Sequence, residues 1–196
     1  MLAVAILAAG ESRRMGTPKA LLPFRGKTFV EHLIEVTRNP RVDVTRVVLG
    51  AGADKIQAQL RLPAGWVVLN ENWSQGQLSS IQAAIRSLPA GATDGLILCP
   101  VDQPLISAQL VAPLIARFDA SGRKIILPAY KGRRGHPAIF HASLYEELLG
   151  ASNEIGARQV VWAHPQDVDE FPTDEEGVIL NLNDPETLKK VLGPAG

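Results

Sequence analysis

The chain has 196 residues, enough to bury a substantial core in one domain and too few for a second of full size. Its 20 basic and 20 acidic residues cancel to a formal net charge of zero, so no general field attracts nucleic acid or an anionic membrane. The single cysteine, Cys99, excludes an internal disulfide and a cysteine-built zinc cluster, and points to a reducing compartment.

The chain opens directly on an apolar segment, without the basic flank and cleavage site of a signal peptide, and no apolar run is long enough to cross a bilayer. A cytoplasmic protein is expected. Leu2 to Leu7 is continuously apolar, the pattern of a strand buried on both faces of a parallel sheet. Gly10 ends it. Thr28 with Glu31 three residues later is a capping-box signature for a helix to about Arg38, with Val30, Leu33, Ile34 and Thr37 facing inward. A strand follows at Val44 to Leu49, a short helix at Asp54 to Leu60 and a strand at Trp66 to Leu69. Ser79 or Ser80 can cap a helix through Leu88, and Gly95 to Leu98 is an apolar strand that delivers Asp102 just past its end.

Ser107 opens the next helix. Ile125 to Pro128 and Ala138 to Phe140 then read as strands around a loop at residues 132–135, followed by a helix at Ala142 to Leu149. Val178 to Leu182 is read as a late strand, and Asp184-Pro185 as the cap and first residue of the last helix. The alternation predicts an α/β fold, a three-layer α/β/α sandwich with a mostly parallel sheet and ligand sites beyond the carboxyl ends of its strands. Gly10, Gly76 and Asp102 all fall in such places.

Residues 7 to 19, Leu-Ala-Ala-Gly-Glu-Ser-Arg-Arg-Met-Gly-Thr-Pro-Lys, carry the strongest chemical signal. Glycines let a loop backbone approach a ligand and form an anion-binding nest, and Arg13, Arg14 and Lys19 add full positive charge. That combination holds a polyphosphate, although the same cations could simply be solvated on a surface turn. Neither the Walker A spacing nor the dinucleotide Gly-x-Gly-x-x-Gly fingerprint is present. Pro18 keeps a helix from starting directly after Gly10, so the loop is long and open. Asp102, between Pro100 and Pro104, can offer hard oxygen to the magnesium of a nucleoside triphosphate, or it can cap a turn.

Leu7-Ala-Ala-Gly10-x-Ser12-x-Arg14-Met15-Gly16-x-x-Lys19 resembles the signature of nucleotidyltransferases with a GT-A-like, Rossmann-related fold, and the chain is most similar to the molybdenum cofactor nucleotidyltransferases, in particular the cytidylyltransferase branch. Residues 72–80, the Cys99-Pro-Val-Asp102-Gln103-Pro104 turn, Gly135-His136-Pro137 and Gly156-Ala157-Arg158 extend the resemblance over nearly the whole chain. It implies one nucleotidyltransferase domain over residues 1–196, with a nucleotide-binding half to about 105 and an acceptor-binding half from about 106. Arg14, Lys19 and Asp102 are then the catalytic residues. Leu7, Ala8, Ala9, Gly10, Ser12, Arg14, Lys19, Gly76, Ser79 and Ser80 are the nucleotide-binding set, and Gly135, His136, Pro137, Glu154 and Arg158 the acceptor-binding set. Trp73 is expected to pack beside the base.

Relatives commonly read Asp-x-Asp-Thr-Pro-Glu near the C-terminus, where this chain has Asn181-Leu182-Asn183-Asp184-Pro185-Glu186. Asp102 and Asn183 are therefore the expected ligands of magnesium, with manganese as a substitute, unless Asn183 and Asp184 only cap the last helix. Alanine at position 9 accompanies cytidine nucleotides in the family and glycine guanosine nucleotides, so CTP is the expected substrate. The implied acceptor is molybdopterin-like and the implied recipient a molybdoenzyme, with no role for nucleic acid or membrane. A sugar, alcohol or other small phosphate as acceptor, GTP as donor, and a non-catalytic nucleotide-binding module or chaperone are the competing readings.

Overall fold

Every residue of the first strand, β1 (Leu2–Ala8), is buried, and its alternate side chains feed two separate cores. Leu2, Val4, Ile6 and Ala8 face one side, and Ala3, Ala5 and Leu7 the other. The computed structural model describes residues 1–192. After β1 come two 3-10 turns, Arg13–Met15 and Lys19–Leu21, then a small hairpin of β2 (Pro23–Phe24) and β3 (Lys27–Thr28). The chain continues through α1 (Phe29–Val36), β4 (Val42–Leu49), α2 (Ala53–Gln59), β5 (Val67–Leu69), α3 (Gln77–Arg86), β6 (Gly95–Pro100) and α4 (Ala108–Ser121). The second half holds β7 (Ile125–Tyr130), β8 (Arg133–Arg134), β9 (Ala138–His141), α5 (Tyr145–Gly150), α6 (Arg158–Ala163), β10 (Val168–Pro172) and α7 (Pro185–Leu192).

The main sheet runs β10-β7-β9-β6-β1-β4-β5, with β8 added to β7. Pairs within β6-β1-β4-β5 are parallel, as is β7 with β10, and β9 is antiparallel to both of its neighbours. Helices α1, α2 and α4 pack on one face, and α3, α5 and α6 on the other, giving the three layers expected. The capping box of α1 is present: Glu31 N–H donates to Thr28 Oγ1 at 3.2 Å, and Thr28 N–H to the Glu31 carboxylate at 2.8 Å. The parallel strands β1, β4 and β6 all end on one edge, where their following loops gather.

The structure corrects several local expectations. Residues 178–182 do not form a strand. A 3-10 turn at Glu176–Ile179 leads into an extended strap whose backbone bonds to loops rather than to a neighbouring strand: Val178 C=O accepts from His136 N–H at 2.9 Å, and Leu182 N–H donates to Asp102 C=O at 2.7 Å. The sheet edge is taken instead by β10, where the acidic Asp169-Glu170 pair hides the apolar signal of a strand. Neither Ser79 nor Ser80 caps α3, because Gly76, at φ 104°, is the N-cap, three residues before Ser79, which puts both serines inside the first turns of the helix. The helix expected from Ala142 begins as a 3-10 turn, Ala142–Leu144, before α5, and the turn of helix at Arg158–Ala163 was not expected.

Candidate active site

The loop after β1 folds back on itself through Ser12. Ser12 adopts a left-handed conformation, φ 54°, its carbonyl accepts from Met15 N–H at 2.9 Å, and its hydroxyl accepts from Lys19 N–H at 3.0 Å. This closure aims the Lys19 ammonium back across the end of the sheet, where it is largely buried. It donates to Asn183 Oδ1 at 2.6 Å and lies 3.3 Å from Asp102 Oδ2. Asp102 is presented by the turn that follows β6, tied to the first strand by Val101 N–H donating to Leu7 C=O at 3.1 Å.

Beside this meeting point lies a cleft of about 230 Å³, lined by Ala9, Gly10, Ser12, Lys19, Ser80 and Asp102, with Trp73 as one wall. Gly50 places that wall: a β-carbon on it would lie 2.6 Å from Trp73 Cβ and 2.8 Å from the Ala9 carbonyl, so only a glycine lets the indole seat against Ala9. A β-carbon on Gly10 would meet nothing within 4 Å, so that glycine keeps open space in the cleft rather than relieving an internal clash.

Next to it, and sharing Leu7 and Gln77 with it, is a larger cavity of about 470 Å³. Its floor is apolar, with Leu98, Leu127, Phe140 and Val161, and polar groups come from Arg134, His136, Glu154 and Arg158. The Arg134 guanidinium is held by Glu170 at 2.7 Å, and Arg158 lies over the exposed Trp162 ring at 5.9 Å. Burial pushes the His136 imidazole down to about 4 against an opposing pull from Asp102, which leaves it uncharged at neutral pH. Its Nδ1 is buried and makes no hydrogen bond.

The expected residues fall into distinct places. Lys19, Asp102 and Asn183 come together, and Leu7, Ala9, Gly10, Ser12, Gly76 and Ser80 line the cleft with Lys19 and Asp102. Gly135, His136, Glu154 and Arg158 line the larger cavity, whereas Pro137 is buried behind it in a cis peptide with His136. Three of the expected residues lie outside the lining of the cleft. Arg14 stays exposed on the 3-10 turn, where its charge is felt by Asp184 and it does not line the cleft. The Ala8 side chain points into the α1–α2 side of the sheet, since strand alternation turns it away from its neighbours Leu7 and Ala9. Ser79 is buried beside Asn70, accepting from Asn70 Nδ2 at 2.9 Å and donating to Gly76 C=O at 2.8 Å, and does not line the cleft.

Gln103, Arg134, Leu127, Phe140 and Trp162 escaped the sequence reading. Gln103, beside Asp102, and Arg134, directly before Gly135-His136-Pro137, had a local signal. The rest are brought to the site by β7, β9 and α6, from segments with no motif.

Among the described residues no cluster of three His, Cys, Asp or Glu side chains could hold a metal. What meets at Lys19 is one carboxylate and one neutral amide oxygen, both hard donors. That set suits magnesium, which keeps its water and binds through one or two carboxylates together with substrate phosphates. It does not suit a resident ion held by protein alone, because Lys19 already neutralises Asp102.

Comparison with known proteins agrees with this geometry. The family model described as the MobA-like NTP transferase domain matches residues 4–168. Nicotine blue oxidoreductase of Paenarthrobacter nicotinovorans is 31% identical over 196 residues, covering 95% of this chain and 94% of its own. Molybdenum cofactor guanylyltransferase of Cereibacter sphaeroides is 34% identical over 191 residues, covering 94% and 92%. The crystal structure of Rv0371c from Mycobacterium tuberculosis H37Rv superposes with a TM-score of 0.85 at 25% identity over 100% of both chains. With the family model matched over most of its length and its strand-end cleft in place, the chain belongs to the MobA-like NTP transferase domain family.

Proposed function

We propose that the protein is a metal-dependent nucleotidyltransferase that transfers CMP from CTP to a phosphate-bearing acceptor of the molybdopterin type and releases pyrophosphate. The observation that carries this reading is the convergence of Lys19, Asp102 and Asn183, at 2.6 Å and 3.3 Å, beside a cleft that adjoins a second cavity. Two adjacent cavities let one phosphorus atom be reached from both, which is what in-line transfer between two bound substrates requires. On this reading residues to about 105 serve the nucleotide and those from about 106 the acceptor.

An acceptor phosphate oxygen forms the new bond to the α-phosphorus, and the bond from that phosphorus to the bridging oxygen of the β-phosphate breaks. The attacking oxygen is already deprotonated at neutral pH, so no general base is needed. Lys19 offsets the charge that grows on the departing pyrophosphate. Magnesium, or manganese in its place, held by Asp102 and Asn183, would add Lewis-acid neutralisation of the phosphoryl oxygens. In the larger cavity the His136 imidazole, uncharged, offers a hydrogen bond rather than a charge, and Arg158 supplies the cation. A recipient molybdoenzyme would take the product.

Base choice is the finer part of the proposal. The Ala9 methyl and the Trp73 wall narrow the cleft, which favours a pyrimidine. The guanylyltransferase relatives favour GTP as a second reading. A competition assay with the four triphosphates, a molybdopterin acceptor and magnesium, read by pyrophosphate release, separates them. CTP is expected to exceed GTP in kcat/KM by roughly 10-fold to 10³-fold, about 1.4–4 kcal/mol of differential transition-state binding, and Ala9→Gly to narrow the gap. Preference for GTP would move the chain to the guanylyltransferases. A relative named as an oxidoreductase gives the assay one more arm: reduction of nicotine blue without pyrophosphate release would overturn the transferase reading.

A further inference from the structure

The strap between Glu176 and Asp184 bonds to residues that line both cavities, His136 through the Val178 carbonyl and Lys19 through Asn183, and its two asparagines do different things. Asn183 reaches Lys19, whereas the Asn181 Oδ1 accepts from the Gln103 side-chain amide at 2.7 Å. Between them Leu182 is fully buried and its N–H donates to the carbonyl of Asp102 at 2.7 Å. The contacts form a closed ring: the Asp102-Gln103 turn holds Asn181 and Leu182, the strap carries Asn183, Asn183 meets Lys19, and Lys19 returns to the Asp102 carboxylate.

Gln103 is an unusual residue to bury at this point. Its side chain is 6% exposed, its amide donates to an otherwise exposed asparagine, and its Oε1 is buried with no partner. A buried amide left half satisfied costs free energy, so packing alone would favour an apolar side chain there. Its bond instead fixes the strap against rotation about its own axis. Leu182 pins the strap in depth, and the Gln103–Asn181 bond sets which way the neighbouring same-face side chain, Asn183, presents its oxygen.

Resting on the proposed transferase function, we infer that Gln103 is a positioning residue for the metal–triphosphate site, acting through Asn181 to hold the Asn183 oxygen beside Asp102. In the free protein Lys19 bridges the two oxygens. When Lys19 turns to the triphosphate, that bridge is lost, and the spacing of Asn183 from Asp102 then depends on the Gln103–Asn181 and Leu182–Asp102 bonds. Groups that orient metal ligands in this way typically change metal affinity by about 10-fold to 100-fold when removed.

The test is titration of Mn²⁺ by electron paramagnetic resonance in the presence of a non-hydrolysable CTP analogue, alongside thermal melting. Gln103→Leu keeps the volume, removes the orphaned oxygen and leaves Asn181 free to bond water. Both Gln103→Leu and Asn181→Ala are expected to weaken Mn²⁺ binding about 10-fold with melting temperatures near that of the wild type. The double variant should be no weaker than either single one, since both remove the same bond. Asn181→Asp, which still accepts from Gln103, should restore most of the affinity. Unchanged Mn²⁺ affinity, additive losses, or losses that follow a lowered melting temperature would overturn the positioning role. If the wild type itself takes up no Mn²⁺ with the analogue, the metal-dependent function fails and this inference with it, whereas wild-type binding with unaffected variants removes this inference alone.

Discussion

Gly135 is the position where the acceptor-side loop and the C-terminal strap come closest, and Gly135→Ala tests whether the two are locked together. A β-carbon there would lie 2.0 Å from the Val178 carbonyl oxygen and 2.6 Å from its carbon, both backbone atoms that no side-chain rotation can move aside. The backbone at Gly135 is not in the left-handed region, so the cost comes from contact rather than strain. Loop and strap must part by about 1.4 Å or more to reach ordinary van der Waals separation. Overpacking of this kind costs about 1–3 kcal/mol. The His136 N–H to Val178 C=O bond, 2.9 Å, would be lost as well, for about 0.5–1.5 kcal/mol more. A total of about 2–4 kcal/mol corresponds to a fall in melting temperature of roughly 5–15 °C for a chain of this size. The control is Gly150→Ala, where a β-carbon meets nothing within 4 Å and which should shift stability by about 1 kcal/mol or less. Melting of Gly135→Ala within about 2 °C of the wild type would refute the close approach and the coupling built on it.

Lys19→Ala is expected to weaken CTP binding by roughly 10-fold or more, the worth of a charge-assisted hydrogen bond, while leaving CMP nearly unaffected, because the proposed partners of the ammonium are the phosphates that depart. Calorimetric titration with both ligands checks this, and equal losses would place the side chain elsewhere. His32 gives a pH prediction. Burial lowers its pKa below 6.5, and Arg25 lowers it further, against the opposing effects of its 3.2 Å bond to the Ile106 carbonyl and of Glu35. The unfolded chain therefore takes up a proton near 6.5 that the folded chain refuses, so stability is complete above that pH and falls as pH drops through it. His32→Gln should flatten the fall in melting temperature between pH 7 and pH 5, and an unaltered slope would show that His32 takes up its proton equally in the folded and unfolded states.

The parts of the fold written in continuous apolar runs were legible. β1 and β6 are buried along their whole length, so their sequences carry no polar interruptions; β4 is apolar and buried only from Val47 to Leu49, and the loop that follows β1 concentrates its glycines and cations within residues 7–19. α1 was legible for another reason, since Thr28 and Glu31 satisfy each other locally whatever the rest of the chain does. β10 was not, because an edge strand with Asp169 and Glu170 paired to Arg117 and Arg134 looks like a polar loop until those cations are brought to it. Arg14 is the opposite case. Its place in a motif says nothing about the direction of its side chain in the ligand-free turn, where it is exposed.

The strap shows why spacing alone misreads the second half of the site. Alternating Val178, Leu180 and Leu182 look like a strand, yet their backbone groups bond to two different loops, and what makes those bonds possible is the absence of side chains on the opposite partners. Gly135 admits the Val178 carbonyl, and Gly177 admits Leu105, whose carbonyl oxygen would lie 2.4 Å from an added β-carbon. A glycine kept for a neighbour 43 positions away, as Gly135 is for Val178, looks in sequence like any turn glycine. Because one strap bonds the Asp102 turn at Leu182 and the His136 loop at Val178, displacement of the His136 loop reaches the oxygens beside Lys19 through the strap backbone. On the proposed function, a substitution in the His136 loop that never touches the nucleotide should therefore still be felt in metal–nucleotide affinity.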